Sequence, residues 1–264
     1  MSRQDNLDLF FRGGKTVILP IDHGVAIPVP ELAQPMELIQ RVSPYVDGFV
    51  MNLGLALQCG AELESKGICL RTDVYNTRTE GEGAGTIGVY GVEEAEMVGA
   101  NAVMHMLYPG GANERINFVE CADLIRVSLD SEVPVILEAL PKGLGQTAEY
   151  TVEKVAFAAR LAAELGADVV KVPFPPGASV EEFRKVVEGT FIPVVILGGA
   201  ALGDDAELLK MVEDAMTAGA AGIAIGRNVW QHPNPAAISR SLHAVVHQDA
   251  SALEALALLK EPVR

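Results

Sequence analysis

Short apolar runs alternate along this chain with longer segments in which apolar residues recur every three or four positions. The runs do not alternate strictly with polar residues, which is typical of strands that are covered on both faces. We expect one strand in each of the following runs: Thr16–Ile21, Gly48–Asn52, Ile68–Val74, Ala102–Leu107, Val133–Leu137, Asp168–Phe174, Ile192–Leu197 and Gly222–Ile225.

Helices are predicted between most of these runs. Thr151–Leu165 places its apolar residues on one stripe and is followed by Gly166, a residue typical of helix C-termini. Asp205–Ala218 repeats the pattern and stops before Gly219, and Val180–Glu188 is a third helix of this kind. The Gly-rich stretch Glu80–Gly88 follows the third run and is expected to be a mobile loop at one end of the strands.

Regular alternation of strands and helices indicates an α/β fold. Eight βα units in 264 residues favour a single (β/α)8 TIM barrel, since such barrels typically need about 250 residues. An open, doubly wound sheet is the alternative architecture. We find no linker, low-complexity tract or compositional break, so residues 1–264 are expected to form one domain.

Composition limits the possible partners. A formal net charge of −15 opposes binding to nucleic acid or to an anionic membrane. No apolar run approaches the roughly 18 residues of a membrane helix, and the first residues lack an apolar signal segment. The three cysteines show no CxxC spacing that would predict zinc or disulfides. We expect a cytoplasmic enzyme without nucleic-acid or membrane partners.

Lys171 is the main candidate for a catalytic residue. Active sites of barrel enzymes lie at the C-terminal ends of the strands. Lys171 is the lysine that lies inside an apolar run, between Val170 and Val172. Burial disfavours an ammonium ion, and a neutral amine is the species that forms an imine with a carbonyl compound. The alternative is a structural lysine that is paired with a carboxylate such as Asp22.

Asp22 and His23 directly follow the first run. A carboxylate at this place can pair with Lys171 or transfer protons to and from substrate hydroxyls. An aspartate there can equally cap a turn, which is a common structural role. We therefore consider a catalytic and a structural role for Asp22.

Glycine turns after the seventh and eighth runs predict a phosphate site. Loops at these two places in barrels often bind phosphate with backbone N–H groups, and an arginine adds a bidentate cation. Tight turns with a surface arginine are the alternative. The histidines show no metal-ligand spacing, so neither a metal nor an organic cofactor is expected. The candidate phosphate ligands are Gly198, Gly199, Gly226 and Arg227.

Four segments carry a more specific pattern: VILPIDHGV (17–25), ADVVKVPF (167–174), PVVILGGA (193–200) and AGIAIGRNVWQHPNP (221–235). In order and spacing they resemble the archaeal-type class I aldolase family, a group of DeoC/LacD-like TIM-barrel aldolases. That family includes fructose-bisphosphate aldolases, an aminodideoxyheptulosonate synthase and a phosphorylated-autoinducer thiolase. The resemblance extends from about residue 12 to residue 256.

The resemblance implies a TIM barrel that assembles into a homo-oligomer such as a decamer. It places the Schiff-base lysine of the family on Lys171 and its DHG aspartate on Asp22. It also places the family's phosphate-binding residues on Gly198, Gly199, Gly226 and Arg227.

The chain departs from the family after the fifth run. The fructose-bisphosphate aldolases and heptulosonate synthases carry Tyr-Pro-Arg-Gly there, with the tyrosine as general acid/base, whereas residues 140–143 are Leu-Pro-Lys-Gly. Leucine cannot transfer a proton. Glu138 lies two residues earlier on the same strand face and is the expected replacement, with Tyr108 and His23 as further candidates. Lys142 keeps a positive charge for phosphate but loses the bidentate fork of arginine.

The sequence therefore predicts a class I aldolase that acts on a small phosphorylated keto substrate through an imine on Lys171. Three alternatives remain. One is acyl-transfer or transaldol chemistry on a phosphorylated dicarbonyl with the same lysine. The others are a phosphosugar isomerase or epimerase, which needs no imine, and a non-catalytic barrel that binds phosphometabolites.

Overall fold

A closed barrel of eight parallel strands forms the centre of this computed structural model. The structure describes residues 1–27, 29–60, 63, 65–75, 85–199 and 203–262. The strands are β1 (Thr16–Pro20), β2 (Gly48–Met51), β3 (Gly67–Arg71), β4 (Asp73–Tyr75), β5 (Thr86–Gly88), β6 (Ala102–Leu107), β7 (Val135–Ala139), β8 (Val169–Pro173), β9 (Val194–Leu197) and β10 (Gly222–Ala224). Hydrogen bonds close the barrel in the order β1-β10-β9-β8-β7-β6-β3-β2, which confirms the predicted TIM barrel.

Helices cover the outside of the barrel, and the three helices predicted above are present. Thr151 and Ser179 cap two of them by accepting a hydrogen bond from a backbone N–H of the first turn. None of the described helices has the length and apolar character needed to span a membrane. The helices are α1 (Arg3–Asp8), α2 (Pro35–Val42), α3 (Leu53–Cys59), α4 (Val92–Met97), α5 (Glu114–Ser131), α6 (Val152–Leu165), α7 (Val180–Glu188), α8 (Asp205–Thr217), α9 (Arg227–Trp230), α10 (Pro235–His247) and α11 (Ala252–Leu258).

The prediction of a single strand over Ile68–Val74 is wrong in one respect, because two strands form there. β3 ends at Arg71, and β4 leaves the barrel to pair antiparallel with β5, with Asp73 opposite Gly88. The hydroxyl of Thr86 donates a hydrogen bond to the Asp73 carboxylate, which fixes this hairpin. The predicted loop Glu80–Gly88 therefore ends in a strand, and its residues 80–84 lie outside the described residues.

An apolar plug closes the N-terminal end of the barrel. Phe10 follows α1 and is fully buried. Gly48 and Gly67 begin neighbouring strands, and a Cβ atom on either would lie 2.6 Å from the Phe10 ring. The ring therefore takes the volume that side chains at these two positions would need.

A charged layer lies above the apolar interior. Cys69, Ile136 and Val169 pack together inside the barrel on β3, β7 and β8. Side chains of a strand return to the same face every second residue, so the residues two positions further also point inward. These residues are Arg71, Glu138 and Lys171, and all three are buried.

Candidate active site

A cavity of about 580 Å³ opens at the C-terminal ends of the barrel strands, where sites of barrel enzymes lie. This volume is typical of small-molecule sites. Eight residues predicted from the sequence line it: Asp22, His23, Glu138, Lys171, Gly198, Gly199, Gly226 and Arg227. Other lining residues include Arg71, Tyr75, Leu140 and Tyr150.

Lys171 and Glu138 form a buried ion pair inside the cavity. The two residues are register partners on β8 and β7, and Lys171 Nζ lies 2.9 Å from Glu138 Oε1. Each residue exposes 4% of its surface. The surroundings of the Lys171 amine are therefore not purely apolar, because they include a carboxylate. That carboxylate belongs to Glu138 rather than to Asp22, which the sequence had suggested.

Arg71 is a buried charged residue to which the sequence analysis gave no role. Its Nε donates to Asp22 Oδ2 at 2.7 Å, and its Nη2 donates to Glu138 Oε2 at 2.7 Å. Its Nη1 lies 3.4 Å from Asp73 Oδ1. The guanidinium thus holds two cavity carboxylates in fixed positions. The signal that identified Lys171, a cation inside a predicted strand, is also present at Arg71, which lies within the run Ile68–Val74.

The charges around Glu138 keep it ionised. Burial on its own would raise its pKa, but the neighbouring Lys171 and Arg71 cations outweigh burial and lower the pKa to about 2. Glu138 is therefore a carboxylate at neutral pH, able to accept a proton but not to donate one. The proposed role of Glu138 in place of the family tyrosine is thus limited to that of a base or of a group that carries a proton transiently.

His23 and Tyr75 stand beside Asp22. Burial, with a contribution from the Arg227 charge, lowers the pKa of His23, so its imidazole is neutral at neutral pH. Tyr75 Oη lies 3.3 Å from Asp22 Oδ2 and 3.5 Å from His23 Nδ1. Tyr75 was not among the residues predicted from the sequence, because the hairpin of β4 and β5 that brings it over the barrel was not expected.

Tyr108 and Lys142 do not reach this cavity, in contrast to the sequence-based expectation. Tyr108 follows β6, and its ring packs beneath the turn at Gly143, where a Cβ atom would lie 3.7 Å from Cδ2 of the ring. Lys142 has a φ of 65° in that turn and is exposed, with its side chain over Gly110. Both residues lie beyond the strand ends, where turn geometry rather than strand periodicity sets the side-chain direction.

The glycine turns line the cavity at the ends of β9 and β10, next to β8. A Cβ atom on Gly198 would lie 2.6 Å from the Ile225 side chain, and one on Gly226 would lie 2.6 Å from the Pro20 carbonyl oxygen. Gly199 has a φ of 63°, which favours glycine. Arg227 begins the short helix next to these turns.

Arg71 and Lys171 form ion pairs with carboxylates in the cavity. Arg227 also lines the cavity but forms no ion pair with a carboxylate of the described residues. Burial lowers the pKa of its guanidinium, although an arginine remains charged at neutral pH. A half-buried guanidinium without a carboxylate partner favours the binding of an anion from solution.

A buried lysine that lines the cavity at the C-terminal end of a (β/α)8 barrel, next to a carboxylate, is suited to chemistry on carbonyl compounds through its amine. The DeoC/LacD family aldolase model matches residues 16–232. This chain belongs to the DeoC/LacD family of aldolases.

Relatives of known name support this assignment. The 2-amino-3,7-dideoxy-D-threo-hept-6-ulosonate synthase 1 of Archaeoglobus fulgidus is 31% identical over 247 residues, covering 94% of this chain and 92% of that protein. The class 1 fructose-bisphosphate aldolase of Thermoproteus tenax is 34% identical over 249 residues, covering 91% of this chain and 93% of that protein. The homologues are class I aldolases, which are lyases, so the predicted enzyme class is confirmed.

Solved structures agree with the relatives. A Schiff-base-forming fructose-1,6-bisphosphate aldolase matches with a TM-score of 0.82 at 31% identity, over 93% of this chain and 99% of that chain. The structure of an archaeal fructose-1,6-bisphosphate aldolase, with its catalytic lysine bound covalently to the carbinolamine intermediate, matches with a TM-score of 0.81 at 30% identity, over 92% of this chain and 98% of that chain.

Proposed function

We propose that this protein cleaves or forms a carbon–carbon bond of a phosphorylated keto substrate through an imine on Lys171. The observation that carries the proposal is the position of Lys171 Nζ inside the cavity, in contact with a single carboxylate oxygen of Glu138 at 2.9 Å. A carbonyl carbon that enters the cavity meets an amine whose proton has an acceptor beside it.

Glu138 supplies the proton transfers that imine formation needs. Its Oε1 accepts a proton from the Lys171 ammonium, and the amine lone pair then adds to the carbonyl carbon. One of the two protons on the nitrogen then moves to the former carbonyl oxygen, which gives a neutral carbinolamine with one N–H. Glu138 returns its proton to this hydroxyl, water leaves, and an iminium ion remains on Lys171. The iminium accepts the electron pair when the adjacent carbon–carbon bond breaks.

The phosphate group is assigned to the side of the cavity that holds Arg227, Gly198, Gly199 and Gly226. Backbone N–H groups can approach an anion closely where no Cβ atom intervenes, and Arg227 supplies a charge-assisted contact. Arg71 is not available for this role because Asp22 and Glu138 already occupy its donors.

Borohydride trapping tests the imine directly. The protein is reduced in the presence of dihydroxyacetone phosphate, of fructose 1,6-bisphosphate and of a panel of phosphorylated ketoses and dicarbonyls, and is then digested for mass spectrometry. We expect a covalent adduct on the peptide that contains Lys171. Binding or isomerisation of these compounds without any adduct would contradict the imine and favour the isomerase or binding alternatives.

Two variants make the trapping experiment specific. Lys171→Met should abolish both the adduct and turnover, because a thioether cannot form an imine. Lys210→Met is the matched control, since Lys210 lies on the surface of α8 and pairs with Glu213 and Asp214. The aldehyde released from each adduct-forming compound then separates cleavage from acyl or transaldol transfer.

We further propose that the protein is cytoplasmic and assembles into a homo-oligomer such as a decamer. Large apolar side chains that are exposed on α5 and α6 support self-association: Ile116 (62%), Leu129 (62%) and Phe157 (61%) are examples. Light scattering on the purified protein measures the subunit number, and a monomer at micromolar concentration would contradict this proposal.

A further inference from the structure

Tyr75 is the phenol that touches the charged centre of the cavity. Tyr75 is the last residue of β4, the strand that leaves the barrel after β3, and only 3% of its surface is exposed. Its Oη lies 3.3 Å from Asp22 Oδ2 and 3.5 Å from His23 Nδ1. The Arg71 guanidinium lies over its ring, 4.9 Å from the centroid. Thus the hydroxyl donates to the Asp22 carboxylate, lies beside a ring nitrogen of His23, and belongs to a residue that lines the same cavity as Lys171.

Over one cycle, aldol cleavage needs a group that takes the proton of the substrate hydroxyl and later donates a proton to the enamine carbon. Glu138 is held as a carboxylate by Lys171 and Arg71. His23 is neutral, because burial lowers its pKa. Asp22 Oδ2 accepts hydrogen bonds from Arg71 Nε at 2.7 Å and from Tyr75 Oη at 3.3 Å.

The phenol of Tyr75 differs from these groups. Burial, together with the Asp22 charge, raises its pKa well above the ordinary value, so the hydroxyl keeps its proton. Tyr150 also lines the cavity, but its Oη donates to the Gly143 carbonyl oxygen at 2.8 Å. The hydroxyl proton of Tyr150 is therefore engaged in a hydrogen bond that stabilises the turn at Gly143.

We propose that Tyr75 is the catalytic acid/base that exchanges a proton with the substrate after imine formation on Lys171. This inference rests on the proposed function. In cleavage, Tyr75 Oη takes the proton of the substrate hydroxyl that becomes the aldehyde, while its own proton passes to Asp22 Oδ2. The carbon–carbon bond breaks, its electron pair moves into the iminium, and an enamine forms on Lys171.

The return of the proton closes the cycle. Asp22 gives its proton back to Tyr75, and Tyr75 gives the proton it carries to the enamine carbon, which regenerates the iminium. Water then hydrolyses the iminium and releases the ketone. The proton removed from the substrate hydroxyl thus forms a C–H bond where the carbon–carbon bond was broken. Tyr75 is protonated and Asp22 is a carboxylate again, as at the start of the cycle.

Hydrogen exchange of dihydroxyacetone phosphate in D2O isolates this proton transfer, because exchange at carbon requires an enamine but no aldehyde. The experiment compares the wild-type protein with Tyr75→Phe, which keeps the ring over Arg71 and removes the hydroxyl. We expect exchange, followed by NMR, to fall by about 10²- to 10⁴-fold. Borohydride trapping of the same compound on Lys171 should persist, because Glu138 still serves imine formation.

The control and the outcomes separate this inference from the proposed function. Tyr45→Phe is the matched control and should exchange at the wild-type rate, since Tyr45 packs on His243 outside the cavity. Wild-type exchange in Tyr75→Phe would overturn the role of Tyr75 and leave the imine intact. A wild-type protein that forms no adduct with dihydroxyacetone phosphate would overturn the proposed function and this inference together.

A second measurement distinguishes proton transfer from a structural role. Site-specific 3,5-difluorotyrosine at position 75 keeps the hydroxyl and lowers the pKa of the phenol. The relay needs the protonated phenol, so the alkaline limb of the exchange–pH profile should move to lower pH. An alkaline limb that stays in place would count against Tyr75 even if Tyr75→Phe fails to fold.

Discussion

The Nζ atom of Lys171 lies 2.9 Å from Oε1 of Glu138, across the neighbouring strands β8 and β7. The other oxygen of this carboxylate accepts a hydrogen bond from Arg71 Nη2 at 2.7 Å. Glu138 is therefore shared by two buried cations, and each of its oxygens has a separate partner. This arrangement fixes the direction in which the Lys171 amine points and leaves Glu138 as its direct proton acceptor.

Glu138→Gln tests this shared carboxylate. The amide keeps the shape of the side chain but leaves Lys171 and Arg71 with less compensating charge, so we expect a loss of stability of about 3 kcal/mol at pH 7. Turnover and imine trapping should fall at least about 100-fold, because the amide cannot accept the ammonium proton. Urea unfolding and borohydride trapping measure the two effects.

The pH dependence of the Glu138→Gln effect follows from the lowered pKa. Glu138 has a pKa of about 2 in the folded protein, below the ordinary value of 4.5, so its contribution to stability is present above about pH 4.5 and is lost as the pH falls towards 2. The stability difference between wild type and variant should therefore narrow over this window. Glu164→Gln is the control, because it removes an exposed partner of Arg160. The stability of this variant should stay close to that of the wild type throughout the same pH window. A difference that widens on acidification would contradict the pairing.

Arg227→Met tests the anion site. We expect the inhibition constant of inorganic phosphate, and the KM of any phosphorylated substrate, to rise roughly 10- to 100-fold, as expected when a charged hydrogen bond is lost. Arg227→Lys should fall between wild type and Arg227→Met, because it keeps the charge without the bidentate geometry. The surface variant Arg126→Met is the control. An unchanged inhibition constant in Arg227→Met would place the phosphate elsewhere.

Periodicity explains why much of the site could be predicted from the sequence. A period of two places Glu138 on the same face as Ile136, and Lys171 on the same face as Val169, once both runs are taken as strands. The barrel then brings adjacent strands together and makes Glu138 and Lys171 neighbours. Local pattern and fold class were sufficient for Lys171, whereas Glu138 was chosen because it lies two residues before Leu140, where the resembled family carries a tyrosine.

The rest of the site depends on contacts that a local pattern does not contain. Arg71 meets Asp22 and Glu138 because three strands converge, and Tyr75 reaches the cavity because the chain leaves the barrel after β3. Conversely, Lys142 was predicted to bind phosphate, but it follows its strand by several residues, where a positive φ turns its side chain away. Turn geometry and long-range pairing set these positions.

Gly67→Ala tests the plug at the N-terminal end of the barrel. The added Cβ atom would lie 2.6 Å from the Phe10 ring, so the ring must move and stability should fall. Phe10→Ala should cost about 3 to 5 kcal/mol because it leaves a cavity. In the double variant the new methyl group has the space of the lost ring, and we expect a coupling of at least about 1 kcal/mol in a double-mutant cycle.

Gly54→Ala provides the control for the plug. Gly54 lies in α3, where an added Cβ atom meets nothing within 4 Å, so this change should be neutral or stabilise the protein by up to about 1 kcal/mol. Strictly additive effects of Gly67→Ala and Phe10→Ala would show that the ring does not occupy the space beside Gly67.

Arg3→Lys tests the attachment of α1 to the barrel. Arg3 Nε and Nη2 each donate to one oxygen of Asp168 at 2.6 Å, and Nη1 donates to the Ser128 carbonyl oxygen at 2.8 Å. Lysine keeps the charge but cannot make the planar two-bond contact with Asp168 and the third bond together. We expect a loss of about 1 to 2 kcal/mol in urea unfolding, with turnover unchanged because the pair lies at the end of the barrel opposite the cavity. Arg126→Lys alters an exposed pair with Asp123 and should leave stability unchanged. Equal stability of Arg3→Lys and wild type would mean that charge alone, without the fork geometry, holds α1 in place.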